Sequence, residues 1–121
     1  MSNVRFYQCK ECGLLALSFN GKEIPGLNEL VPNTVDASGE KHTPAVTIHG
    51  SIVEVNVGSI DHPMEEIHWI EWVRLNTDKG TYRKRLSPGQ APSVLFQLNN
   101  EQPLAVYAYC NLHGLWKTEL N

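Results

Sequence analysis

The sequence predicts an all-β protein: an antiparallel sandwich or barrel of short strands, with a short N-terminal appendage. Three observations carry this. Apolar side chains recur with a period of two at Val53, Val55 and Val57, at Val94, Phe96 and Leu98, and at Leu104, Val106, Ala108 and Cys110. Turn-forming residues punctuate the chain at short intervals: His49-Gly50-Ser51, Gly58-Ser59, Asp78-Lys79-Gly80, Ser87-Pro88-Gly89 and Asn99-Asn100. No stretch holds a helical period over three turns. Short strands at this spacing are the signature of an antiparallel sandwich or barrel.

Residues 1 to about 34 differ from the rest. They carry Cys9-Lys10-Glu11-Cys12, then Gly13, Gly21, Pro25, Gly26 and Pro32, with a short apolar run at Leu14-Leu15-Ala16-Leu17. A segment this small buries little core of its own, so it must pack on the main domain, pair with a second copy or be held by a metal. From Pro44 onward the pattern is β. Val53, Val55 and Val57 form the inward face of one strand. Glu66 to Asn76 is apolar on both parities, as a strand covered on both faces would be. Thr81 to Leu86 carries Arg83, Lys84 and Arg85, cations that suit an exposed edge. The strand ending at Cys110 places its sulfur on the inward parity.

Composition narrows the function. The chain has 121 residues, 41% apolar and 19% charged, enough for one domain with a small appendage. A net charge of −3 and the lack of a basic stripe argue against nucleic acid and against an anionic membrane surface. No apolar run approaches the ~20 residues of a membrane span, and the N-terminus has no signal-peptide core. The expected location is the cytoplasm. Three cysteines, two of them as Cys-x-x-Cys, read there as metal or redox chemistry before a disulfide scaffold.

The chemistry concentrates at Tyr109-Cys110-Asn111-Leu112-His113-Gly114-Leu115-Trp116, where a thiol and an imidazole stand three positions apart at a strand end. Upstream lie His42 in Glu40-Lys41-His42, and His62 and His68 in His62-Pro63-Met64-Glu65-Glu66-Ile67-His68-Trp69. One thiolate and four imidazoles on loops and strand ends can close on a single transition metal. His49, beside a hairpin glycine, reads as an ordinary surface histidine. Zinc would take four ligands in a tetrahedron. Blue copper would take one thiolate and two imidazoles with a weak axial methionine. Iron can use all five groups. Cys9 and Cys12 are candidates for half of a second metal site or for a disulfide.

These three motifs resemble the desulfoferrodoxin/neelaredoxin family, the superoxide reductases, over about Asn33 to Trp116. The resemblance implies an immunoglobulin-like, seven-stranded antiparallel β-sandwich over residues 35–121. It implies one mononuclear iron with His42, His62, His68 and His113 in an equatorial plane and Cys110 axial, and one-electron reduction of superoxide to hydrogen peroxide. It assigns Glu40 as the carboxylate that can take the sixth position of oxidised iron, and Lys41 as the cation beside the open site. It further implies an external, rubredoxin-like electron donor and a homodimer. Residues 1–34 resemble the family's desulforedoxin-like domain in part. Cys9 and Cys12 match its first ligand pair, but the region taken to hold the second reads Leu30-Val31-Pro32-Asn33, so a second all-cysteine iron centre is expected to be absent. Two rivals remain: a cupredoxin-like electron carrier and a structural zinc module.

Overall fold

The computed structural model describes residues 4–12 and 14–120; Gly13, counted above among the leader's turn residues, lies outside them. The described residues form ten strands and one single-turn helix in three sheets. The leader supplies β1 (Arg5–Gln8), β2 (Leu15–Ser18) and β3 (Asn28–Leu30), ordered β2-β1-β3. The helix α1 spans Gly39–His42. Then come β4 (Pro44–His49), β5 (Ile52–Val57), β6 (Ile70–Thr77), β7 (Thr81–Arg85), β8 (Ser93–Gln97), β9 (Pro103–Cys110) and β10 (Gly114–Glu119). These seven make a four-stranded sheet, β10-β9-β6-β7, and a three-stranded sheet, β4-β5-β8, all antiparallel. The total is ten rather than seven because the leader adds three. No helix among the described residues is long and apolar enough to cross a membrane.

The main core lies between the four- and three-stranded sheets. Val53, Val55 and Val57 of β5, Val94 and Phe96 of β8, and Val106, Ala108 and Cys110 of β9 all point into it, as their period of two requires. The leader forms a third layer. Phe6, in the central leader strand, packs against the opposite face of the four-stranded sheet, with Trp72, Ala105, Tyr107 and Leu115. Its ring centroid lies 4.7 Å from that of Tyr107. Asn33 ties the leader's end to β10, its Nδ2 donating to the Lys117 carbonyl and its Oδ1 accepting from the Lys117 amide.

That third layer corrects two strand readings. The alternation in β9 predicted one buried face, yet Ala105 and Tyr107 on the other parity are buried as well, because the leader covers them. The doubly buried strand expected over Glu66–Asn76 begins only at Ile70. Residues before it turn back on themselves: the Glu65 and His68 backbones exchange hydrogen bonds of 2.9 and 3.0 Å, leaving Ile67 77% exposed. Within β6 the pairing with β9 slips between Ile70 and Trp72, so Glu71 is an inserted residue. This bulge reverses the parity: Ile70 faces the main core and Trp72 faces the leader. The edge strand over Thr81–Arg85 is as predicted, outermost and mostly exposed.

Candidate metal centre

Four short segments converge at one end of the sandwich. β9 ends at Cys110, and a three-residue connection carrying His113 leads into β10 through Gly114, whose φ of +77° is the left-handed conformation that glycine adopts at least cost. The loop before β6 brings His62 and His68. α1 brings Glu40, Lys41 and His42; His42, expected on a loop or strand end, sits in this single helical turn, 3% exposed. His49 lies at the exposed end of β4, beside Glu54 and far from this cluster in the fold.

The ligand atoms of His42, His68, Cys110 and His113 all lie within 4.8 Å of one another. His62 stands next to them, its Nε2 3.1 Å from His42 Nε2. The rings follow one another around a centre, with centroid distances of 4.6 Å (His42–His62), 4.6 Å (His62–His68), 5.1 Å (His68–His113) and 4.9 Å (His113–His42). Each neighbouring pair is edge-on, whereas His42 and His68 face across at 6.3 Å. Four imidazoles at the corners of a ring present four nitrogens to one point. The sulfur of Cys110 enters from the interior, 3.9 Å from His113 Nδ1, and Cys110 is fully buried. Glu40 and Lys41 are exposed on the solvent side, and neither is in an ion pair among the described residues.

Backbone carbonyls set the tautomers. His42 Nδ1 donates to the Ser38 carbonyl and His62 Nδ1 to the Pro63 carbonyl, each at 2.6 Å. The neutral rings therefore turn bare Nε2 atoms inward, as metal-ligating imidazoles do when their second nitrogen is held by a carbonyl. His68 Nε2 is buried with no hydrogen-bond partner. A buried polar atom left unsatisfied costs about 1–3 kcal/mol, and a metal ion at the centre would satisfy it. The donor set thus fits a transition metal.

Electrostatics agree. Burial pushes the pKa of His42 and His68 below the ordinary imidazole value, and Lys41 adds to both shifts. Burial pushes the Cys110 thiol up, against the amides of His113 and Leu112, which favour the thiolate. The His113 amide lies 3.3 Å from the sulfur. His62 falls furthest, from 6.5 to about 4, chiefly through burial. Below pH 6.5 the unfolded chain therefore binds a proton that the folded chain refuses. The contribution of neutral His62 is complete above that pH, declines as pH falls towards 4, and amounts to at most about 3 kcal/mol. Urea midpoints of metal-free protein at pH 7.5 and 4.5 should differ more for the wild type than for His62→Gln. Equal differences would refute the assignment.

Sequence reading missed the supports. The Asn111 side chain accepts from the Trp69 amide at 2.9 Å and donates to the Ile67 carbonyl at 3.0 Å, clamping the backbone on both sides of His68. Trp116 stacks on the His42 ring at 4.9 Å, and its indole N–H donates to the His113 carbonyl at 3.0 Å. Both residues stand inside the Cys110–Trp116 motif, but only the fold shows what they touch. The leader reading also needs correction. Gln8 pairs with Asn28, so Gly26, Leu27 and Asn28 lie opposite Cys9. Leu30 pairs with Phe6 and packs in the second core, and so is not near the cysteines.

Comparison with known proteins places these features in a family context. The desulfoferrodoxin family profile matches residues 34–119. A curated relative, a desulfoferrodoxin of Syntrophotalea carbinolica, is 43% identical over 93% of this chain and 94% of its own. Among solved structures, the superoxide reductase from Treponema pallidum superposes with a TM-score of 0.81 at 39% identity, covering 96% of this chain and 98% of that one. The superoxide reductase (1Fe-SOR) from Giardia intestinalis gives 0.59 at 30% identity, covering 68% of this chain and 98% of its own.

Proposed function

The chain belongs to the desulfoferrodoxin family, and we propose that it is a superoxide reductase, reducing superoxide by one electron to hydrogen peroxide at a single iron held by His42, His62, His68, His113 and Cys110. The observation that carries this reading is the ring of four imidazoles with a buried thiol entering from the interior and the Lys41 cation close enough to act on His42 and His68. Iron bound there supplies a one-electron couple, and a thiolate ligand tunes its potential.

The remaining roles fall to the protein. The amides of His113 and Leu112 favour the Cys110 thiolate. Ser38, Pro63 and Asn111 hold the imidazoles or their backbone in place. Lys41 presents a cation beside the cluster, where it draws an anionic substrate to a protein of net charge −3 and can hold a proton-donating water. Glu40 offers an exposed carboxylate in the same helical turn, which would be available as a further ligand to the oxidised metal.

The copper alternative lacks support. Among the described residues the one methionine sulfur, that of Met64, accepts the Ile70 amide at 3.5 Å. A tetrahedral zinc site would leave one of the five converging groups idle. We further propose one iron per chain, no second all-cysteine centre, a vestigial desulforedoxin-like leader over 1–34, a rubredoxin-like external donor, a homodimer and a cytoplasmic location. All three cysteines are free thiols, which suits a reducing compartment.

Metal analysis of anaerobically purified protein should find iron near one per chain, and pulse radiolysis should give a fast second-order reaction with superoxide. Lys41→Ala should slow that reaction about 3- to 10-fold and flatten its ionic-strength dependence. An unchanged rate constant would remove Lys41 from the mechanism, and zinc in place of iron would remove the reductase reading.

A further inference from the structure

Cys9 and Cys12 lie in the turn between β1 and β2. The Cys9 amide donates to the Leu14 carbonyl at 2.9 Å and closes the hairpin base. The Cys12 amide donates to the Cys9 sulfur at 3.3 Å, so the two cysteines close one turn with the backbone of one on the sulfur of the other. Hydrogen bonding from Cys12 holds the Cys9 thiol below the ordinary thiol range. Cys12 is exposed and Cys9 partly so. Beside them runs an open cleft of about 390 Å³, whose opposite wall is Gly26, Leu27 and Asn28. None of these three offers a thiolate or imidazole. Among the described residues, the cluster of three or more metal-capable groups is the one around Cys110. Among the described residues the pair is therefore half of a tetrahedral site without a second pair of ligands opposite it, yet the two cysteines share one accessible turn in which the amide of Cys12 already rests on the sulfur of Cys9.

We propose that Cys9 and Cys12 form a redox-active dithiol that hydrogen peroxide, the product of the iron site, oxidises to a disulfide. The source of peroxide rests on the function proposed above; the thiol chemistry does not. The Cys9 thiolate attacks one oxygen of hydrogen peroxide. The O–O bond breaks, hydroxide leaves and takes up a proton to become water, and Cys9 carries a sulfenic acid. The Cys12 sulfur then attacks the Cys9 sulfur, the S–S bond forms, the S–O bond breaks and a second water leaves. Two thiols lose two electrons and two protons, and one hydrogen peroxide becomes two waters. An external dithiol of the thioredoxin class returns the pair to the reduced state by exchange. The leader thereby consumes one peroxide for each cycle of oxidation and reduction.

The test uses the intact, iron-loaded, reduced protein and authentic hydrogen peroxide. Peptide mass mapping should show a Cys9–Cys12 bond, with two thiols lost per chain. Cys12→Ser should stop at a sulfenic acid on Cys9 that a dimedone probe captures, and Cys9→Ser should give no adduct at Cys12. Cys9 and Cys12 that resist alkylation until a chelator is added, with metal above one per chain, would overturn the proposal in favour of a metal shared between copies. Independent over-oxidation of each sulfur, without a bond between them, would also overturn it. A second arm follows the reaction of the reduced protein with superoxide directly, by pulse radiolysis. If the bond forms with authentic peroxide while the protein does not speed the decay of superoxide, the dithiol stands and the reductase reading fails.

Discussion

Replacing Cys110 with serine should leave a folded protein that has lost its reaction with superoxide. Cys110 is fully buried at the end of β9 and packs in the main core. A serine oxygen fits the same space, so the fold should survive with a loss of about 1–3 kcal/mol for burying a hydroxyl with an amide partner only. The chemistry does not survive. A serine hydroxyl is harder and far less acidic than a thiol, and at neutral pH it gives a metal no soft anionic donor. The amides of His113 and Leu112 would then face a neutral oxygen in place of a thiolate. The thiolate-to-metal absorption band should vanish, and the second-order rate with superoxide should fall at least about 100-fold, beyond the range seen for supporting residues. Visible spectra of the oxidised protein and pulse radiolysis check both. A coloured variant reacting within about threefold of wild type would mean that Cys110 is a core side chain and no more.

The site was far more legible in the sequence than the layer that covers the sheet behind it. His42, His62, His68, Cys110 and His113 announce themselves because packing does not require those residue types at strand ends, and their spacing within motifs is local information. The strand pattern, in contrast, reports only that a face is buried, never by what. Ala105 and Tyr107 are small and amphipathic enough to read as an outer face. Only the packed leader, through Phe6, makes them interior. The bulge at Glu71 was illegible for a related reason: a one-residue slip is set by pairing with β9, which lies more than thirty positions away. The supporting groups around the imidazoles are mostly backbone atoms, those of Ser38, Pro63 and His113, which carry no residue-type signature at all.

Gly58→Ala should damage the candidate metal centre without touching any of its five candidate ligands. Gly58 follows β5 directly, and a Cβ there would lie 2.6 Å from the Glu40 carbonyl oxygen and 2.8 Å from that of Thr43. Both are backbone atoms, so no side chain can swing away, and α1 or the loop must move. The Glu40 carbonyl also accepts the Ile60 amide at 3.0 Å, which joins α1 to the loop leading to His62. His42, at the end of α1, has its Nε2 3.1 Å from both His62 Nε2 and His113 Nδ1. A shift of a few tenths of an ångström there opens one corner of the ring. The expected cost is about 1–3 kcal/mol of stability and a 10- to 100-fold loss of metal affinity, as for other changes that misplace a ligand through its support. Gly80→Ala is the control, because a Cβ there meets nothing within 4 Å and the site is at the β6–β7 turn. Competitive chelation should separate the two variants clearly. Metal affinity in Gly58→Ala within about threefold of the control would show that α1 tolerates displacement, and that the candidate ligand groups hold a metal without the backbone contact that now fixes them.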